Sequence, residues 1–263
     1  MVLERLISRR DALRNPLAMF IVGGVVSLAC VVIALVVFSS SNQVGMFTTV
    51  LITMAMTPFM VNLLYFDEKE TERELMCRMK GNFIQRHSDV LKVYGSLFMG
   101  MVLVMSVLYM MLPESYVEQI FSDQINEIKI IRGGFTLLEN FERILVNNVG
   151  VLMLAFLFSF LFGSGAIFIL AWNASVLAAA IGMAAKSIGG FGAYPMAVLV
   201  FAPHGSLEIM AYLVGAVGGG LVSMAITRRQ SKCFWPIVWD SLELVLLATL
   251  LLIIAAALES AQM

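Results

Sequence analysis

The sequence predicts an all-α protein, a polytopic transmembrane helical bundle of about seven spans that includes one broken helix. Hydrophobic residues make up 60% of its 263 residues and charged residues 13%. A soluble domain is closer to about 45–50% apolar and about 25% charged. Apolar runs of about 20 residues, the length that crosses a bilayer, recur along the chain. The net charge of -1 gives no reason to expect a nucleic-acid partner.

Six continuous apolar segments are long enough to be candidate spans. The first follows four arginines and resembles a signal sequence, but its 22 residues exceed the length of a signal-peptide core, which predicts an uncleaved span. In the fourth segment, Gly163 and Gly165 are interpreted as positions where another helix approaches closely. The six segments are Leu17–Phe38, Met46–Phe66, Val90–Leu112, Val149–Trp172, Leu207–Ile226 and Leu242–Leu258.

The segment Ala174–Ala202 differs from the others because glycines interrupt it. Asn173 can cap a helix that runs to Lys186, and residues 187–192 then contain three glycines. Pro195 suits the first turn of a second short helix. Neither piece is long enough to cross a bilayer alone, so we predict one broken span and seven crossings in total.

Lysine and arginine counts predict the orientation of the spans. The N-terminal tail carries four of these residues, the loop 67–92 carries six and the loop 228–232 carries three. Seven spans then place the N-terminus and these loops in the cytoplasm, and the C-terminus and the more acidic loop 113–148 outside. We interpret the charged loop as a solvated face, with a cytoplasmic docking site as the alternative.

The acidic loop contains a helix start. Thr136 and Glu139 form a capping-box pattern, and apolar residues follow at helical spacing. An amphipathic segment that leads into a span predicts an outer interfacial helix near 136–146.

Ionisable side chains are sparse in residues 144–227, where Lys186 and Glu208 carry the only formal charges. A helix that begins at Pro203 places His204 and Glu208, four residues apart, on one face. Ionisable groups inside a membrane are costly, so they usually face protein or water and often mark function. Two interpretations stay open. Either these groups fix the bundle, with Lys186 as a candidate partner of Glu208, or they take part in transport or proton movement.

Further polar residues are candidates for the same interior. Asn147 and Asn148 open the fourth span and Asn173 closes it, either as helix caps or as donors that line a site. Glu259 places a carboxylate at the end of the last span. No catalytic, metal-binding or cofactor-binding set of residues is predicted, because the histidines and thiols lack the required spacing. A stripe of small residues that allows close helix packing, within or between subunits, follows Glu208: Ala211, Gly215, Gly219 and Ser223.

Taken in order, these features resemble the stage II sporulation protein M family. The resemblance covers about residues 90–263. Residues 1–89 look like an addition, an N-terminal transmembrane hairpin plus a charged cytoplasmic loop. The motifs that carry the resemblance are Asn147-Asn148, Asn173, the run Pro203-His204-Gly205-Ser206-Leu207-Glu208-Ile209-Met210-Ala211, a glycine-rich continuation, and Ala256-Ala257-Leu258-Glu259-Ser260-Ala261.

The resemblance implies a polytopic protein without a known catalytic activity, which in spore formers acts as an anchor or organiser in a membrane complex with peptidoglycan-degrading proteins. It supports His204, Glu208 and Glu259 as interior determinants. Nothing in this chain indicates sporulation. We therefore predict a non-enzymatic scaffold without cofactors, whose partners are the lipid bilayer and membrane or extracytoplasmic proteins, with a homo-oligomer left open. The alternative is a permease or channel component that uses the broken helix and the pair His204 and Glu208.

Overall fold

The computed structural model of the chain describes residues 9–38, 41, 43–76, 86–131, 137–227 and 234–261. Within these ranges every regular element is helical. The elements are α1 (Arg9–Arg14), α2 (Pro16–Val37), α3 (Val44–Met76), α4 (Ser88–Met111), α5 (Glu114–Ile131), α6 (Leu137–Phe162), α7 (Ala166–Ile188), a short 3₁₀ helix (Gly190–Ala193), α8 (Tyr194–Thr227) and α9 (Phe234–Ser260).

Seven of the described helices are long and apolar enough to cross a membrane, namely α2, α3, α4, α6, α7, α8 and α9. The prediction of an all-α polytopic bundle with seven spans is therefore confirmed. Helix α4 starts just after Arg86 and ends just before α5. We name the two ends of the bundle accordingly, the Arg86 end and the α5 end.

The predicted broken helix is wrong, because the fifth span begins earlier in the chain than its hydropathy suggests. Helix α6 ends at Phe162, and Gly163 then adopts a φ of 73°, a left-handed conformation that glycine tolerates without strain. Helix α7 begins at Ala166 and is 23 residues long, enough to cross a bilayer alone. The apolar residues on both sides of Gly163 hide this turn in the sequence.

The glycines after Lys186 form a turn between two complete spans. Gly190 has a φ of 73°, and the 3₁₀ helix that follows leads directly into α8. Asn173 does not cap a helix here, because it lies inside α7, where its Nδ2 donates to the carbonyl oxygen of Ile169 at 2.8 Å. The residues interpreted as one interrupted span thus belong to α7 and α8.

Helix α8 is the most enclosed of the seven spans. It is 34 residues long and continues through Pro203, so the helix start predicted at this proline is wrong. A proline inside a helix removes one backbone hydrogen bond and tends to bend the helix. Pro203 itself is exposed, while His204 and Gly205 beside it are buried.

Helix α5 is a surface helix that the sequence analysis did not predict. Residues 137–146, expected to form a separate interfacial helix, are instead the first turns of α6, which continues as one helix to Phe162. Thr136, the predicted capping residue, lies outside the described residues. Helix α5 packs mainly on α7 and α3. Its buried side chains are Val117, Ile120, Phe121, Gln124 and Ile128.

Glycines allow two pairs of helices to pack at very short distance. A side chain at Gly23 of α2 or at Gly100 of α4 would overlap a backbone carbonyl of the other helix. A side chain at Gly219 of α8 would likewise overlap the backbone of Phe156 in α6, and one at Gly215 would overlap the side chain of Leu152. The small residues after Glu208 therefore bring α6 and α8 together within this chain.

The Arg86 end contains a buried cluster of charged side chains. The Nδ1 atom of His87 lies 2.6 Å from Oδ2 of Asp67, and Arg86 Nη1 lies 2.6 Å from Oδ2 of Asp240 in α9. The described part of the charged loop is thus only partly the solvated face that we predicted. Its exposed charged residues include Lys69, Glu70, Arg73 and Asp89, whereas His87 is buried. Two further acids of α3, Glu68 and Glu72, are also buried.

Candidate functional site

A partly open cavity of about 120 Å³ with mixed polar and apolar walls lies near the α5 end of the bundle, lined by α4, α5, α6, α7, α8 and the end of α9. This volume is large enough for several water molecules. Most of the predicted polar residues line it, namely Asn147, Asn148, Asn173, His204, Gly205, Glu208 and Glu259. The other lining residues include Glu127, Phe98, Phe201, Ile144, Val176, Leu177 and Tyr212.

Glu208 occupies the centre of the polar contacts. Asn148 of α6 donates a hydrogen bond of 2.6 Å from Nδ2 to Oε1 of Glu208 on α8. Glu259, at the end of α9, lines the same cavity and brings a second carboxyl group close enough to interact electrostatically with Glu208. These contacts join three spans, and Asn147 extends them by donating to Oδ1 of Asn148 at 3.2 Å.

Helical spacing brings His204 and Gly205 to the same wall as Glu208. His204 is 6% exposed, and its ring packs edge-on to Phe201, with 6.0 Å between ring centroids. Gly205 is also buried, yet a Cβ atom at this position would meet no heavy atom within 4 Å. The backbone of α8 therefore borders open space at Gly205, which keeps this side of the cavity free.

Helix α5 contributes an acid, Glu127, that the sequence analysis did not single out. Trp172 of α7 donates a hydrogen bond of 2.9 Å from Nε1 to Oε2 of Glu127. Burial raises the pKa of Glu127, and the hydrogen bond from Trp172 opposes this effect without cancelling it. A second hydrogen bond, 3.0 Å from Gln124 Nε2 to Ser175 Oγ, also holds α5 on α7.

Lys186 is absent from the cavity lining, so its predicted pairing with Glu208 is wrong. Its side chain is exposed, and its ammonium nitrogen lies 5.1 Å from the ring centroid of Tyr109. Asn173 and Lys186 share α7 but are 13 positions apart, about 20 Å along a helix. A cavity of this size reaches only one of them.

The sequence analysis also missed Tyr212, which is buried and lies near Glu127, Glu208 and Glu259. A signal was present, because Tyr212 follows Glu208 by four residues and so shares its helix face. Glu127 has no comparable signal, since its helix is far from α8 in the sequence and only the packing of α5 brings it to the cavity.

The cavity can accept hydrogen bonds at three carboxyl groups and offers amide, imidazole and phenol groups beside them. Among the described residues that line it, none is a lysine or an arginine. Among the described residues, no three histidine, cysteine or carboxylate side chains are arranged to hold a metal ion. The site is therefore suited to hydrogen bonding and charge recognition.

The seven spans and the cavity lined by three carboxyl groups define the class: a multi-pass α-helical membrane protein with an acidic interior site. A family model described as "Stage II sporulation protein M" matches residues 93–261. The chain belongs to that family, as its motifs suggested. No curated protein and no solved structure matches the chain.

Proposed function

We propose that this protein is a non-enzymatic membrane scaffold that holds partner proteins in a membrane complex. The observation that carries the proposal is the way α5 is held on the bundle. The helix is amphipathic, its apolar side packs on α7 and α3, and hydrogen bonds from Gln124 and Trp172 hold it there. Because the helix is already fixed, a partner that binds it loses less free energy to the ordering of this surface.

The other face of α5 is exposed and polar, as a docking surface for a protein requires. Its exposed residues are Glu114, Ser115, Tyr116, Glu118, Asn126 and Lys129. We further propose that this face lies outside the cytoplasm, because the basic loops belong to the opposite end of the spans. Partners would then be membrane or extracytoplasmic proteins with a basic contact surface.

Charge reversal on this face tests the proposal. The double variant Glu114→Lys with Glu118→Lys should abolish co-purification of the native partners from detergent-solubilised membranes, because it repels a basic contact surface. The matched control is Glu70→Lys, the same change at an exposed position of α3. It should leave co-purification unchanged. All of the variants should unfold at the same temperature as the wild type.

Equal retention of partners by both sets of variants would contradict the proposal. So would transport of a solute by the purified protein in liposomes. We do not propose the permease alternative, because it rested largely on a broken helix, and the structure has a complete span in its place.

A further inference from the structure

We propose that the cavity is a binding site for an organic cation, an ammonium group on a short hydrocarbon stem. The inference goes beyond the scaffold role and does not depend on it, because it concerns the interior of the bundle and not the exposed face of α5. It rests on the charge, the mixed walls and the accessible space of the cavity.

The charge of the cavity favours a cationic ligand. Glu127, Glu208 and Glu259 line it. Trp172 donates a hydrogen bond to Glu127 and Asn148 donates one to Glu208, and both donors are neutral. Carboxyl groups so close together repel one another when both are ionised, and an added positive charge relieves this repulsion. An anion would find no lysine or arginine among the lining residues.

The chemistry of the walls favours an organic cation over a metal ion. Among the described residues no ligand triad for a metal is present. Metal ions such as Ca²⁺ need six or more converging oxygen ligands. Here the carboxyl groups come from three different helices, and apolar and aromatic side chains line the cavity beside them. An ammonium group can donate to dispersed carboxyl groups and amide oxygens, while its stem contacts Phe98, Phe201 and Leu177.

The cavity also has space and an access route. The open volume beside Gly205 could hold the stem without displacing a side chain. Asn147 is exposed, and it lines both the cavity and a shallow surface groove on α6. The same groove contains Glu139, Glu142 and Arg143, which are also exposed, so its two acids outnumber its one base and it attracts cations weakly to its mouth.

Isothermal titration calorimetry on the full-length protein tests the inference. The protein is placed in nanodiscs of phosphatidylglycerol, which lack amine headgroups, and empty nanodiscs give the background. The probes are n-butylammonium and n-butanol, which are similar in size but differ in charge. We expect saturable binding of n-butylammonium and at least roughly tenfold weaker binding of n-butanol.

Variants assign the binding to the cavity. Glu208→Gln should weaken n-butylammonium binding roughly tenfold. Glu118→Gln, the same change on the exposed face of α5, should leave it unchanged. Equal binding of the charged and neutral probes to the wild-type protein would overturn the inference without any variant. Undiminished binding by the double variant Glu208→Gln with Glu259→Gln would also overturn it.

The amine could come from a lipid headgroup or from solution. A second set of nanodiscs, which contain phosphatidylethanolamine, distinguishes these two sources. Competition by phosphatidylethanolamine would support the site with a lipid amine as its occupant. Unchanged saturable binding in those nanodiscs would support it with a water-soluble amine. Because no partner protein is present, failure of this experiment leaves the scaffold proposal standing, and failure of the co-purification experiment leaves the cation site standing.

Discussion

The two ends of the bundle both bury acidic side chains, but they neutralise them differently. At the Arg86 end, Asp240 faces Arg86 and Asp67 faces His87, each at 2.6 Å. At the α5 end, Glu208 and Glu127 accept hydrogen bonds from the neutral groups of Asn148 and Trp172. In the first arrangement Arg86 supplies a counter-charge and His87 a close polar contact from within the chain, whereas the second leaves a cavity.

This difference separates a structural contact from a binding site. The pair Arg86–Asp240 joins a residue before the family match to α9 within it. It therefore ties the N-terminal part of this chain to the family domain. The carboxyl groups of the cavity join helices of the family domain to one another, and their positive partner, by our inference, comes from outside the chain.

Removing a counter-charge at the Arg86 end should have the largest effect. Arg86→Ala leaves Asp240 partly buried without its closest cation, and we expect the free energy of unfolding to fall by about 3 kcal/mol. Arg73→Ala is the control, since Arg73 is 76% exposed and its contact with Glu70 is 3.4 Å. It should change stability by less than about 0.5 kcal/mol. Titration with SDS in mixed micelles measures both, and equal losses would show that the pair Arg86–Asp240 stabilises the fold no more than an exposed pair.

Substitution of two glycines on α8 should have an intermediate effect and tests whether the cavity is open. Gly219→Ala places a methyl group against the backbone of Phe156, so we expect a loss of about 2 kcal/mol. Gly205→Ala points into open space, and the better helix propensity of alanine should raise stability by less than about 1 kcal/mol. The same unfolding assay compares them. A loss at Gly205 as large as that at Gly219 would mean that the cavity wall is closely packed.

The sequence predicted the parts of this comparison that depend on local spacing. Apolar runs predicted the spans, and the four-residue interval predicted that His204 and Glu208 share a wall. Hydropathy could not locate the turn at Gly163, since apolar residues lie on both sides of it. The break expected near Gly189 followed from this error, because shifting the start of α7 to Ala166 makes it a complete span.

Contacts between distant helices could not be derived from the sequence. Nothing local shows that Glu127 of α5 reaches the cavity, or that Arg86 reaches Asp240, because both depend on how helices pack. The prediction for Lys186 failed for the same reason. It is the only cation in residues 144–227, but charge alone does not show on which part of α7 the cavity lies.

The smallest expected effect concerns Glu127, whose pKa is raised by burial. As the pH rises above about 4, the unfolded chain loses this proton before the folded protein does, so ionisation destabilises the fold. Glu127→Gln can still accept the hydrogen bond from Trp172 and cannot ionise. In amine-free buffer, the wild type should therefore lose stability relative to this variant between about pH 4 and 7, by no more than about 0.5 kcal/mol because water screens the partly exposed group. A relative gain of the wild type over this range would show that a positive charge already compensates Glu127, and the two ends of the bundle would then neutralise their acids alike.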